Sequence, residues 1–115
     1  AYAAAAGLLQ HRPDLTAMLA GGNLLGEAAV LAARELDLRI PRDISLIMFD
    51  DVPWAELCSP PLTVIAEPAR DMGYRAAELV LREGRRAREP RVVTLSTELI
   101  VRASCAPRRR ARPAG

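Results

Sequence analysis

Residues 44–49, Ile-Ser-Leu-Ile-Met-Phe, run directly into Asp50-Asp51-Val52-Pro53. A short, almost wholly apolar run rich in β-branched and aromatic residues, closed by turn-forming residues, predicts a strand buried on both faces. Strands of that kind belong to parallel sheets covered by helices. A parallel neighbour needs a crossover connection, so the flanking sequence has to supply helices between strands.

It does so on both sides. Tyr2 to His11 is alanine-rich and helix-forming, and Arg12-Pro13-Asp14 stops it. Residues 15–20, LTAMLA, predict a buried strand, and Gly21-Gly22-Asn23 a turn in which Asn23 caps the next helix. Residues 24–37 place Leu24, Ala28, Leu31, Ala32 and Leu36 at helical spacing. After the central strand, Trp54 to Leu57 predicts one helical turn, Ser59-Pro60-Pro61 a rigid connection and residues 62–66 a third strand. Pro68 suits a helix start, and residues 69–83 set Met72, Ala76, Leu79 and Val80 on one face opposite Arg75, Arg82 and Glu83. Residues 84–90 predict a polar loop, and residues 91–102 one broken strand or two short ones. The order predicts an α/β fold with a parallel sheet flanked by helices.

At 115 residues the chain has the size of one domain, and with half its residues apolar it can bury a core. Aromatic residues make up only 3%, and alanine as filler suits closely packed helices on a sheet better than an all-β sandwich. Every basic residue is arginine, and the net charge is +2. Arg108, Arg109, Arg110 and Arg112 crowd the end of the chain, and without them the remainder is acidic. The folded part is therefore not a nucleic-acid binder by charge. The proline- and arginine-rich tail, 106–115, is expected to be disordered.

No apolar run approaches a membrane span, and the first residues do not read as a signal peptide, so a cytoplasmic domain is the expectation. A first residue of Ala instead of Met suggests a fragment or a processed chain. Two cysteines, Cys58 and Cys105, are too few for a disulfide scaffold and show no metal-ligand spacing, so buried free thiols are expected. His11 alone cannot build a histidine metal site, and no cofactor motif is present. GxSxG is absent, and Asp50 and Asp51, being adjacent, face opposite ways in an extended chain and form no carboxylate pair.

In open parallel sheets, ligands bind beyond the carboxyl ends of the strands. Three such ends carry polar groups: Gly21-Gly22-Asn23, Asp50-Asp51 and Glu67. Asp50 directly follows the central strand, where a carboxylate accepts hydrogen bonds from two hydroxyls of one ligand. On the residues alone, a turn residue or the cap of the short turn at Val52–Leu57 outweighs that reading. Gly21-Gly22-Asn23 completes neither the Walker nor the GxGxxG pattern, so a tight turn outweighs a phosphate cradle. Glu67 also suits a helix N-terminus. Trp54 is open to sugar stacking, a subunit interface or core packing.

The run RELDLRIPRDISLIMFDDVPWAELCSPPLTVIAEPARDMGYRAAELVL resembles the sensor domain of LacI/GalR-type bacterial transcription regulators. LRIPRDISLIMFDD, SPPLTVI, EPARDMGYRAAELVL and TELIVRAS carry the match in order, within a resemblance that reaches from about Ala1 to Cys105. It implies the periplasmic sugar-binding-protein fold, two α/β lobes with a small effector in the cleft. It also implies a helix-turn-helix headpiece that binds operator DNA as a dimer. On this resemblance the chain holds only the C-terminal part of such a regulator, without the headpiece and most of the first lobe. Residues 1–66 belong to the C-terminal lobe, the 69–83 helix packs in the N-terminal lobe, and 91–102 returns; apolar surface is then left exposed.

The resemblance also assigns residues. Asp50 matches the first Asp of the family's aromatic-Asp-Asp element, which bonds effector hydroxyls. Gly22 and Asn23 stand where the family has Asn-Asp or Asn-Asn, with the first position facing the cleft. Glu67 stands where many members have Gln before Pro; a carboxylate there accepts sugar hydroxyls and disfavours anionic effectors. Leu24, Ala28 and Leu31 on the 24–37 helix, with Trp54 and Cys58, match the dimerisation surface. The implied protein is a non-enzymatic, effector-binding regulator. A periplasmic sugar-binding protein of a transporter is the alternative, and a small phosphate-handling α/β enzyme using Gly21-Gly22-Asn23 a third reading.

Overall fold

The computed structural model describes residues 1–83 and 91–107. In chain order the elements are α1 (Tyr2–His11), β1 (Ala17–Ala20), α2 (Asn23–Glu35), β2 (Ser45–Phe49), α3 (Pro53–Leu57), β3 (Thr63–Ala66), α4 (Ala69–Glu83) and β4 (Glu98–Ile100). The sheet order is β1-β2-β3-β4. The first three strands are parallel, with Ala20 beside Met48 and Phe49 beside Ile65; β4 is antiparallel to β3, with Ile65 beside Leu99. The sheet is therefore mostly, not wholly, parallel.

Local chemistry explains the ends of the helices. Pro13 excludes Arg12 from the helical region, and α1 stops there with Arg12 at φ −126. At the end of α2, Asp37 adopts φ 56 and donates to the Arg34 carbonyl, while the Leu38 N–H reaches the Ala33 carbonyl. This is a Schellman turn with an aspartate in the position that favours glycine. Arg39 and Asp43 then pair across the following loop at 2.8 Å.

The core lies on one face of the sheet. Leu46, Met48 and Val64 point to it and meet Ala29 and Val30 of α2, Ala55 of α3, and Leu62. Small residues let the layers close. A Cβ on Gly26 would stand 2.0 Å from Met48 Sδ, so α2 lies directly on β2 only because residue 26 is glycine. Leu9 of α1 packs on Ala32 and Ala33 of α2 and on Ile44.

The expectation that the central strand is buried on both faces does not hold: burial alternates along β2, with Leu46 and Met48 buried and Ser45, Ile47 and Phe49 half-buried. All the helices packed on the sheet lie on the Leu46–Met48 face. On the other face Leu19 is 61% and Leu99 56% exposed.

Among the described residues, 91–102 yields one three-residue strand, Glu98–Ile100, and the segment before it runs without regular structure. Beyond β4 the chain inserts beside the starts of β2 and β3. Ser104 is fully buried; its hydroxyl accepts the Thr63 N–H at 2.8 Å and donates to the Leu46 carbonyl. Ala106 donates to Ser45 Oγ at 3.1 Å. Residues 108–115 of the expected tail lie outside the described residues, as does the 84–90 loop. Cys58 and Cys105 are free thiols, half-buried instead of buried. Helix α4 keeps its expected bounds, and among the described residues it lies against the 91–95 segment: Leu79 is half-buried beside Val93, while Met72, Val80 and Leu81 are exposed.

Candidate functional site

Because β1, β2 and β3 are parallel, their carboxyl ends fall on one edge, and Gly22, Asn23, Asp50 and Glu67 all lie just beyond it. Asp50 sits at the centre of this edge. Its N–H bonds to the Ile65 carbonyl at 3.1 Å, extending the β2–β3 contact past the strand, and its backbone turns into the left-handed region at φ 76. Aspartate tolerates this region better than most side chains.

The Asp50 side chain points back to α2. Its Oδ2 accepts the Asn23 N–H at 3.0 Å and lies 3.5 Å from Asn23 Nδ2. The cap expected from Asn23 is thus wrong. Gly22 holds the capping position without a side chain, Asn23 is the first helical residue, and Asp50 supplies the missing acceptor from 27 residues away. A carboxylate on the N-terminus of α2 is favoured both by the orphan N–H groups and by the helix dipole. The alternative of Asp50 capping the short helix α3 also fails, since Val52 stands there.

Only one carboxylate oxygen is used in this way. Among the described residues, Oδ1 of Asp50 accepts no hydrogen bond. Gly22 leaves the space beside it open: a Cβ on Gly22 would lie 3.7 Å from Asp50 Oδ2, an ordinary contact, and its φ of 164 is extended backbone. Glu67 is exposed, and its carbonyl, not its carboxylate, accepts the Ala69 N–H at 2.8 Å.

Asp50 and Asp51 do diverge. The Asp51 carboxylate turns to Arg102, whose Nη2 stands 2.8 Å from Oδ1 and 3.1 Å from Oδ2. Nη1 of Arg102 donates to the Leu62 carbonyl at 3.1 Å, and its backbone N–H to Thr63 Oγ1 at 3.0 Å. Arg102 was not singled out from the sequence. Nothing local to LIVRAS marks it, because its partners lie about 40 and 51 residues earlier.

The residues matched to a dimerisation surface come together elsewhere, on α2 and α3. Leu31, Trp54 and Cys58 line a shallow recess of about 430 Å³ with Val30, Leu57 and Glu27. Leu24 and Leu57 are exposed nearby in sequence, at 72% and 84%. Ala28 is buried within this chain and presents no comparable surface.

A helix-backed, mostly parallel sheet with this strand order is the architecture of an α/β domain of the periplasmic-binding-protein type. Residues 1–105 match the periplasmic binding protein-like domain. The chain belongs to that family, in the form found in the sensor domains of LacI/GalR-type transcription regulators.

It is 39% identical over 105 residues to the HTH-type transcriptional regulator DegA of Bacillus subtilis (strain 168), covering 89% of this chain and 31% of DegA. Among solved structures, the transcriptional regulator CelR–cellobiose complex superposes with a TM-score of 0.81 at 35% identity, covering 90% of this chain and 32% of that one. A LacI family transcriptional regulator from Arthrobacter sp. FB24 in complex with lactose gives 0.75 at 30% identity, covering 91% and 40%. These relatives are transcription regulators, not enzymes. The chain spans about a third of DegA's length. No helix among the described residues is long and apolar enough to cross a membrane.

Proposed function

We propose that this chain forms one side of the effector site of a LacI/GalR-type transcription regulator, and that the effector is a small sugar or related polyhydroxylated molecule. The observation that carries this reading is the Asp50 carboxylate: one oxygen is tethered to α2 and the other is unengaged at the strand ends. Oδ1 accepts a ligand hydroxyl, Asn23 offers its amide, the Gly22 notch admits the ligand, and Glu67 accepts from its far side. An anionic effector is disfavoured by the two carboxylates. The cellobiose and lactose complexes among its relatives support a carbohydrate.

In this reading residues 1–66 belong to the C-terminal lobe. Helix α4 packs in an N-terminal lobe, and the segment around β4 returns from it. The α2–α3 face, with Leu24, Leu31, Trp54 and Cys58 and with Ala28 beneath, pairs two copies. Operator DNA is bound through a helix-turn-helix headpiece outside this chain, in the cytoplasm. The domain performs no catalysis, and effector binding acts on operator affinity through lobe closure.

The test is a titration of the regulator carrying this domain with cellobiose, lactose and ribose, followed by calorimetry and by operator binding. At least one sugar is expected to bind, and Asp50→Ala to weaken it by about tenfold or more, as loss of a charged hydrogen-bond partner does. Operator affinity without sugar should be retained. Sugar binding unchanged in Asp50→Ala, or operator binding lost with sugar affinity intact, overturns this role.

A further inference from the structure

We infer that Arg102 is a positioning residue for Asp50, acting through Asp51 to hold the strand end in the conformation that presents the Asp50 carboxylate. The inference rests on Asp50 being the ligand acceptor only for its functional meaning; its geometry stands without a ligand. Asp50 at φ 76 lies where an L side chain is strained, and a conformation of that kind persists only where its surroundings over-determine it.

The restraints are visible on both sides of the residue. On one side the Asp50 N–H is fixed to Ile65. On the other, the Asp51 carboxylate is gripped by Nη2 of Arg102, whose side chain is only 16% exposed. Arg102 cannot follow Asp51 if it moves, because Nη1 and the backbone N–H of Arg102 are bound to Leu62 and Thr63 at the start of β3. The guanidinium fork thus ties the exit of β2 to the entrance of β3.

Released from that grip, the Asp50–Asp51 peptide is free to relax to negative φ. The Asp50 carboxylate then swings away from the Asn23 N–H, and the helix cap and the open Oδ1 are lost together. Since Arg102 lies two residues past β4, the strand that follows α4 in the chain, it also connects the presentation of Asp50 to the position of that strand.

The Asn23 amide reports this directly, because its hydrogen bond is to Asp50 and to nothing on Asp51 or Arg102. The experiment is amide hydrogen exchange and amide proton shift by NMR on the full chain, compared with Asp51→Asn and Arg102→Lys. The lysine keeps the charge and loses the fork. Both variants are expected to speed Asn23 exchange by about fivefold or more, the factor that loss of an ordinary side-chain cap produces, and to move its proton upfield. The amides of Leu46, Met48 and Val64 should stay within about twofold of the parent, and the double variant should add nothing to the single ones. Unchanged Asn23 exchange overturns the inference. So does acceleration of all these amides alike, or unfolding of both variants, since Arg102 would then hold the fold and not Asp50. No ligand enters the measurement, so a failed sugar titration and a failed positioning role are read separately.

Discussion

At the residue scale, two positions have backbone demands that their side chains answer differently. Asp37 closes the Schellman turn after α2 at φ 56, where glycine pays no steric cost. Asp37→Gly is therefore expected to raise stability by about 0.5–1 kcal/mol, read as a higher urea midpoint at unchanged slope. Gly26 is the opposite case. Its missing Cβ is the space filled by Met48 Sδ and Cγ, at 2.0 and 2.8 Å from where that atom would be. Met48 is fully buried, so it has no solvent into which to retreat. Gly26→Ala should cost about 1–3 kcal/mol despite alanine's better helix propensity. Shortening the neighbour in Gly26→Ala/Met48→Ala should recover part of the loss, and a stable Gly26→Ala single variant would mean that α2 rides higher on β2 than described. Ser104 sets a third demand: Ser104→Ala strands the Thr63 N–H and removes a donor from Leu46, an expected loss of about 2 kcal/mol in the same assay.

At the scale of elements, the loop between α2 and β2 is closed by charge. Asp43 accepts from the Arg39 guanidinium and the Arg39 N–H, and these bonds hold its carboxyl at about 2, below its ordinary 3.8. A carboxyl lowered on folding stabilises the protein fully above its unfolded value and loses that contribution as pH falls through the folded one. The stability difference between the parent and Asp43→Asn should thus be flat above about pH 5 and shrink between about pH 4 and pH 2. Solvent screening keeps it small, so urea midpoints across that range are the measurement.

The elements themselves were legible where their signal is local. Alternating apolar runs and turn residues foretold three strands and four helical segments, and α4 starts and stops at the expected residues because Pro68 fixes its start. What escaped was set by distant partners. Asn23 looks like a cap in its own sequence, but the acceptor comes from Asp50 across the strand ends. Arg91 to Thr97 has strand composition without a strand, because composition does not show whether a ladder partner is in reach. The antiparallel return of β4 and the grip of Arg102 on Asp51 depend likewise on where the chain comes back, and no spacing encodes that. For the proposed site, the strand-end rule brings Asp50, Gly22 and Glu67 to one edge of the sheet, while the pairing of Arg102 with Asp51 beside it stayed hidden.

At the scale of the whole molecule, the layers are uneven. The Cα radius of gyration is 18.7 Å, against about 13 Å for a compact chain of this length. Helices α1 and α2 share a core with the sheet, and Ala32, Ala33 and Leu9 are sealed between them. Helix α4 has an apolar stripe covered only in part: Leu79 is half-buried beside Val93, while Met72 is 50% and Val80 69% exposed. Its own resources include two ion pairs to Glu78, from Arg75 at 3.0 Å and from Arg82 at 2.8 Å. Pairs of this type each add only about 0.2–0.5 kcal/mol to an isolated helix. A 15-residue helix with so little tertiary packing is marginal in water, because the cost of nucleation is barely recovered over so few turns. The two helices should therefore differ sharply in hydrogen exchange although both are regular and similar in length. In the isolated chain, peptides from 69–83 are expected to exchange within seconds, while those from 24–35 exchange only with global unfolding. On the proposed lobe assignment, α4 gains protection approaching that of α2 once an N-terminal lobe is joined to the chain. Protection of α4 already equal to α2 in the isolated chain would show that a second copy or another part of this chain covers the stripe, and a concentration series of the same exchange experiment separates those two.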